Sequence, residues 1–247
     1  MVEPVNLLGV KISPVGIEEA IEEIIKSIPK RSGDFFCFVN THTVMEGYRN
    51  PEIANIFDKA TANFPDGMGV VWALKTLGHK FKGRVRGTDI TLALCSYASK
   101  NNLKIFLYGN TEETLLALKE KLITLFPEIH IAGMISPPFR ELTEEEDEKI
   151  IIEINETDPD ILFVSLGAPK QEKWMASHKG KIKAIQLGVG AAFDFITGKV
   201  KPAPIWMQKA GLEWLYRLPQ QPIKTTKRML LAPEFIYQVI KNKLKVF

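Results

Sequence analysis

Several short segments of the chain hold residues whose types and spacing can do chemistry. Pro65-Asp66-Gly67 sets a carboxylate between a proline and a glycine. An aspartate there can cap a following helix, because its carboxylate accepts from the first free backbone N–H groups. It can also serve as a general base toward a hydroxyl brought within hydrogen-bond reach, and the two roles do not exclude each other. Gly83-Arg84-Val85-Arg86-Gly87 puts two guanidinium groups in a glycine-bounded loop. They form a phosphate clamp if they converge and a solvated loop if they do not. Gly188-Val189-Gly190 matches the start of a dinucleotide fingerprint. No third glycine follows and no acidic residue stands about 20 residues on, so a tight turn accounts for it equally. Asp158-Pro159-Asp160 has the spacing of a divalent-cation holder, but it runs into an apolar stretch and reads as a polar turn at the amino end of a strand. The four histidines, His42, His79, His130 and His178, lack ligand spacing, so no metal site is expected. No nucleophile elbow, P-loop or zinc motif occurs.

These segments need elements to position them. Phe35–Val39, Thr61–Phe64, Lys104–Gly109, Ile129–Ala132, Ile161–Gly167 and Ala184–Gly188 are short apolar runs. Amphipathic stretches alternate with them, the pattern of βαβ units around a parallel sheet of about six strands. A short extended pair spans residues 7–12. Ser13 with Pro14 reads as the start of the first helix. One helix is expected over 43–57, one over 67–77 stopped by Gly78, and one over 89–99. Asn110 with Glu113, and Thr143 with Glu146, read as N-terminal caps of the next two. Trp174 reads as a core anchor. In an open parallel sheet, ligands bind beyond the carboxyl ends of the strands. The loops there carry Asn40-Thr41-His42, Asp66-Gly67, Gly109-Asn110-Thr111, Lys170-Gln171 and Gly188-x-Gly190. Their glycines permit close backbone approach, and the helix N-termini that follow favour phosphate.

Composition supports a globular reading: 45% of the 247 residues are hydrophobic and 25% charged, which excludes disordered and fibrous classes. Two cysteines, Cys37 and Cys95, are too few for a disulfide framework and suit a reducing, cytosolic setting. The first residues lack a signal-peptide pattern, and no apolar run is long enough to span a bilayer. Charge is uneven. Residues 1–194 hold 22 Lys and Arg against 27 Asp and Glu, whereas residues 195–247 hold 10 against 2. The expected organisation is therefore a core over 1–198 and a basic, aromatic, proline-broken helical appendage over 199–247. Such a segment should meet an anion. Its Trp206, Trp214, Tyr216, Phe235 and Tyr237 beside cations suit a lipid interface better than nucleic acid, so an anionic membrane surface is the expected partner and no nucleic acid is.

In chain order, the segments form a longer series. They are Asn40, Pro65-Asp66-Gly67, Arg84-x-x-Gly87-x-Asp89, Leu166-Gly167-Ala168-Pro169-Lys170-Gln171-Glu172-Lys173-Trp174 and Gly188-Val189-Gly190-Ala191-Ala192-Phe193-Asp194. Gly198-Lys199-Val200-Lys201-x-Ala203-Pro204 and Gly211-Leu212-Glu213-Trp214-Leu215-Tyr216-Arg217-Leu218 follow. The series resembles the WecG/TagA/CpsF family, glycosyltransferase family 26, over nearly the whole chain. The resemblance implies a Rossmann-like core and an inverting, metal-independent transfer without a cofactor. The donor would be a UDP-sugar and the acceptor a polyprenyl-diphosphate-linked sugar at the inner face of the cytoplasmic membrane. It implies Asp66 as the base, with Asn40, Arg84 and Gln171 lining the pocket. Arg217 matches a family arginine of the appendage, and Lys224, Lys227 and Arg228 match its basic stretch loosely. The full expected binding set adds Thr41, Gly67, Asp89, Gly109, Lys170, Gly188 and Asp194. Phe38 departs from the pattern, standing where many members carry a small hydroxyl residue. A nucleotide-binding regulatory module without transferase activity is the alternative, and homo-oligomerisation stays open.

Overall fold

Alternation within the strands decides how the sheet is covered. The computed structural model describes residues 2–245, less the side chains of Lys224, Lys227 and Lys245. The chain opens on an antiparallel hairpin, β1 (Val5–Leu7) and β2 (Val10–Ile12), followed by α1 (Ile17–Ser27). Then come β3 (Phe35–Val39), α2 (Thr41–Arg49), α3 (Pro51–Lys59), β4 (Ala62–Pro65), α4 (Met68–Thr76) and α5 (Gly87–Lys100). They continue with β5 (Lys104–Gly109), α6 (Glu112–Leu125), β6 (His130–Ile135), α7 (Glu144–Glu156), β7 (Ile161–Ser165), α8 (Lys170–Ser177), β8 (Ile185–Gly188) and α9 (Ala192–Ile196). The last four helices are α10 (Ile205–Lys209), α11 (Glu213–Arg217), α12 (Pro222–Met229) and α13 (Ala232–Lys245).

The main sheet has six strands in the order β4-β3-β8-β7-β5-β6, and every neighbouring pair is parallel. This is the expected α/β sheet flanked by helices. Phe36, Phe38, Phe64, Leu107 and Phe163 point to one face, where they pack with residues of α1, α5, α6 and α9. Phe35, Cys37, Val39, Phe106, Tyr108 and Val164 point to the other, against the hairpin, α2, α3, α4, α7 and α8. Strands β3, β5, β7 and β8 are thus buried on both sides, which is why they read as apolar runs, whereas edge strand β6 stays partly exposed. Leu231, just before α13, and Phe235 and Val239 on it pack into the second face.

Four local expectations change. The first helix starts at Ile17 behind Gly16, because Ser13 donates its N–H to Asn63 O at 2.9 Å and is held beside β4. The stretch 43–57 splits into α2 and α3 at Asn50, which is extended (φ −133°, ψ 109°), as a residue before proline prefers. Thr111, not Asn110, caps α6; Asn110 is left-handed (φ +64°) and donates its amide to Asp194 at 2.9 Å. Gly67 is the N-cap of α4 with no side-chain cap, so Asp66 does not cap that helix. Two features match: Thr143 and Glu146 form a reciprocal capping box, and Asp158 and Asp160 sit at the amino end of β7, paired with Arg31.

Candidate active site

A single cleft of about 1330 Å³ runs along the carboxyl edge of the sheet. Residues just past each of the six strands line it, among them Asp66 after β4, Asn40 after β3, Gly190 after β8, Gly167 after β7, Asn110 after β5 and Pro137 after β6. The chain leaves β5 toward β6 on one side and β7 toward β8 on the other. That reversal opens the crevice where sheets of this kind take ligands. Gly109 makes the edge passable: its φ is +109°, and a Cβ there would lie 2.6 Å from Ser165 O. The N-termini of α4, α5 and α8 also border the cleft and lack side-chain caps, so their free N–H groups favour anions there, whereas Asn40 caps α2.

The binding residues expected from sequence mostly converge. Asn40, Thr41, Asp66, Gly67, Arg84, Lys170, Gln171, Gly188, Asp194, Arg217 and Arg228 all line this cleft. Asp89 and Gly109 do not; Asp89 lies 3.7 Å from Arg86 Nη1 and Gly109 shapes the turn behind the wall. Lys224 and Lys227 fall on α12, but their side chains lie outside the described residues. Phe38 and Trp174 line the cleft too. Trp174 is half-buried between Tyr108 and His178, with ring centroids 4.4 Å and 4.3 Å away, and donates its indole N–H to Asp147 at 3.0 Å.

Asp66 follows directly on β4, its N–H donated to Val39 O at 2.8 Å. Burial raises its carboxyl from 3.8 to about 6; Arg84, and more weakly Arg217 and Arg86, pull it back, while Glu213 adds to the rise. A carboxylate poised near neutral pH can take a proton from a hydroxyl. Desolvation and the neighbouring Arg217 cation lower Arg228, and Asp66 opposes them. His42 is lowered by burial and by Arg228. Arg217 and Arg228 therefore form a cationic corner beside the carboxyl.

Two expected ligands turn out to be committed to protein partners. Gln171 is buried, and its amide is saturated: Oε1 accepts from Gly167 N at 3.2 Å and Gly190 N at 3.1 Å, while Nε2 donates to Gly188 O at 2.7 Å and Glu172 Oε1 at 2.9 Å. It straps the loop after β7 to the loop after β8. Glu172, given no role by the sequence pattern, is buried beneath it; burial raises its carboxyl to about 7, the Gln171 hydrogen bond opposing, and Oε2 has no partner among the described residues. Arg84 meets Glu213 and Gln208 of the appendage. Sequence assigned neither of them a role at the site. The available signal was that Glu213 is one of two acids in a strongly basic segment. Among the described residues, no three His, Cys, Asp or Glu side chains gather as a metal site requires.

A carboxyl raised toward neutrality at the open edge of a parallel sheet, with guanidinium groups around it, suits group transfer on an anionic substrate. Comparison with known proteins makes the class specific. The model of the Glycosyl transferase WecG/TagA/CpsF family matches residues 5–246, and the chain belongs to that family. The N-acetylglucosaminyldiphosphoundecaprenol N-acetyl-beta-D-mannosaminyltransferase of Bacillus subtilis (strain 168) is 30% identical over 217 residues, spanning 87% of this chain and 82% of its own. The protein of the same name from Staphylococcus aureus (strain MW2) is 29% identical over 256 aligned residues, spanning 98% of this chain and 94% of its own. The chain is thus a glycosyltransferase.

Proposed function

We propose that the chain transfers an N-acetylmannosamine-type sugar from a UDP-sugar to a polyprenyl-diphosphate-linked N-acetylglucosamine, with inversion at the anomeric carbon. The relatives' names supply the acceptor and the transferred sugar; glucose and a uronic acid are the competing donors. The observation that carries the reading is the Asp66 carboxyl, poised near pH 6 in a cleft it shares with Arg217 and Arg228. In the reaction, Asp66 takes the proton of the acceptor hydroxyl as its oxygen bonds to the anomeric carbon. The bond from that carbon to the UDP oxygen breaks, and UDP leaves with the electron pair. Arginine charge and helix N-termini meet the charge that develops on the leaving diphosphate.

The length of the edge supports a donor laid along it. Strands lie about 4.8 Å apart, so the five steps from β4 to β6 span about 24 Å. The cavity also exceeds the ~300–1,000 Å³ of common single-ligand pockets, as a two-substrate site should. With the acceptor at Asp66, the donor diphosphate falls over the β7 and β8 loops and the nucleoside over β5 and β6. The acceptor lipid suits peripheral attachment at the inner membrane face through the appendage. No described helix is long and apolar enough to cross a membrane.

Incubating the purified protein with UDP-N-acetylmannosamine and a lipid-diphosphate-N-acetylglucosamine analogue should yield a disaccharide lipid, with and without chelator. Asp66→Asn should lower turnover by about 10²–10⁴, the usual contribution of a general base. UDP binding with no product from any of the three donors would favour the regulatory-module reading instead.

A further inference from the structure

Between core and appendage lies a side-chain network that the transfer chemistry does not itself require. The appendage has two acids, and each pairs with a core arginine: Glu234 with Arg49, and Glu213 with Arg84 at 2.9 Å. The Arg84–Glu213 pair is shielded, each side chain being 15% exposed. Arg84 Nη2 donates to Gln208 Oε1 at 2.8 Å, and the same oxygen accepts from Arg86 Nη1 at 2.9 Å. Gln208 is held in turn, donating its own amide to Ala203 O at 2.6 Å. Both terminal nitrogens of Arg84 thus face appendage acceptors, and a substrate phosphate would have to displace them. The second oxygen of Glu213 accepts from Arg217. Arg217 stacks over Phe195, 4.7 Å from the ring centroid, and its Nε is buried with no partner among the described residues. One donor of Arg217 is therefore fixed by Glu213, while another still lacks an acceptor. The backbone closes against the core at the same place. Gly211 adopts φ +70°, and a Cβ there would lie 2.5 Å from Trp72 Cη2.

We propose that Glu213 is a positioning residue that bridges Arg84 of the core to Arg217 of the appendage and so holds the Arg217 guanidinium at the Asp66 end of the cleft. The loop bearing Arg84 and Arg86 is then the receptor for the appendage, and its arginines do not grip substrate phosphate. The inference rests on the reading of Asp66 as the base, because it gives Arg217 a reacting centre to serve. Shielded charge and a planar fork explain the choice of residues. Arg84 Nη1 meets one carboxylate oxygen of Glu213 and Arg217 Nη2 the other, and a partly dehydrated charge pair is stronger than one in water.

The test uses the full chain with Glu213→Gln, Arg84→Met and the double substitution, and with Gln208→Ala as a milder variant. Protease cleavage within 199–247 reports release of the appendage without any substrate. Each charge-removing single substitution should speed cleavage by about tenfold, and the double should be no faster than the worse single, as for residues in one contact network. Glu213→Gln should also lower kcat while UDP affinity, measured by calorimetry, stays at the wild-type value. Gln208→Ala should move both readouts in the same direction by less. Arg84→Met that leaves cleavage unchanged but weakens UDP binding would overturn the proposal, making Arg84 a donor grip. Glu213→Gln with raised kcat would overturn it too, making Glu213 a plug. Additive single effects would equally count against it. Because cleavage needs no donor or acceptor, it decides the latch even if the wild-type protein forms no product, a result that would instead sink the transferase reading.

Discussion

At the scale of the residue, the titration of Asp66 joins stability to catalysis. Its carboxyl is raised from 3.8 to about 6, chiefly by burial, so the folded protein holds this proton more tightly than the unfolded chain does. The two states differ little below pH 4. As pH rises from about 4 to 6, the unfolded chain ionises first and stability falls; above pH 6 the full cost is present. At about 1.4 kcal/mol per pH unit that cost is on the order of 3 kcal/mol. Asp66→Asn should therefore raise the melting temperature at pH 8 and leave it unchanged at pH 4, while lowering turnover by about 10²–10⁴. A variant no more stable at pH 8 would show that the carboxyl is not desolvated. The same group should set the acid limb of kcat/KM near pH 6. Arg217 lowers the Asp66 carboxyl, so Arg217→Met should move that limb to higher pH. A limb that stayed in place would separate the two groups.

At the scale of the element, the site depends on two loops held at a fixed separation. Gln171 supplies the tie, with two acceptor and two donor contacts spread over Gly167, Gly188, Gly190 and Glu172. Gln171→Ala leaves three buried or half-buried backbone groups unpaired, at about 1–3 kcal/mol for an unsatisfied group. It should reduce both thermal stability and kcat. Gln171→Glu should be worse: the new carboxylate loses both donors and faces Gly188 O and Glu172. If Gln171→Glu matched the wild type, the strap would be idle. The central strands were legible in the sequence because they are largely apolar on both faces, so no alternation masks the run. Helix starts were less legible, because distant partners settle them. Ser13 is tied to Asn63 and Asn110 to Asp194, contacts that no local pattern announces. Asn40, Asp66 and Gln171 could be picked out as strand-end residues, but the saturation of the Gln171 amide could not. Arg84 and Glu213 stand 129 positions apart, so the sequence left the arginine loop open between a phosphate clamp and a solvated loop and could not pair it with Glu213.

At the scale of the whole molecule, the appendage presents two unlike surfaces. Leu231, Phe235 and Val239 are buried in the core at four-residue spacing, so deleting the appendage would strip the core as well. Beside that row, Ile236, Ile240 and Leu244 form a second row at the same spacing, each more than half exposed. Ile205, Trp206, Ile223, Leu230 and Tyr237 are exposed to the same degree. A segment with 10 Lys and Arg against 2 acids, carrying that much uncovered apolar surface, suits the headgroup layer of an anionic bilayer. Attachment would then have two parts: insertion of apolar side chains and attraction of cations to lipid charge. Substituting Trp206, Ile240 and Leu244 together by Glu removes insertion without touching the buried row. Since burying one such side chain is worth about 1.5–3 kcal/mol, flotation with anionic vesicles should fall by at least about tenfold. Transfer to a short-chain, water-soluble acceptor should persist, because none of the three lines the cleft. Binding of the wild type should weaken as salt rises and on neutral vesicles, since screening acts on the electrostatic part alone. Wild-type flotation by the triple variant, with the appendage still protected from protease, would show that this surface meets something other than the membrane.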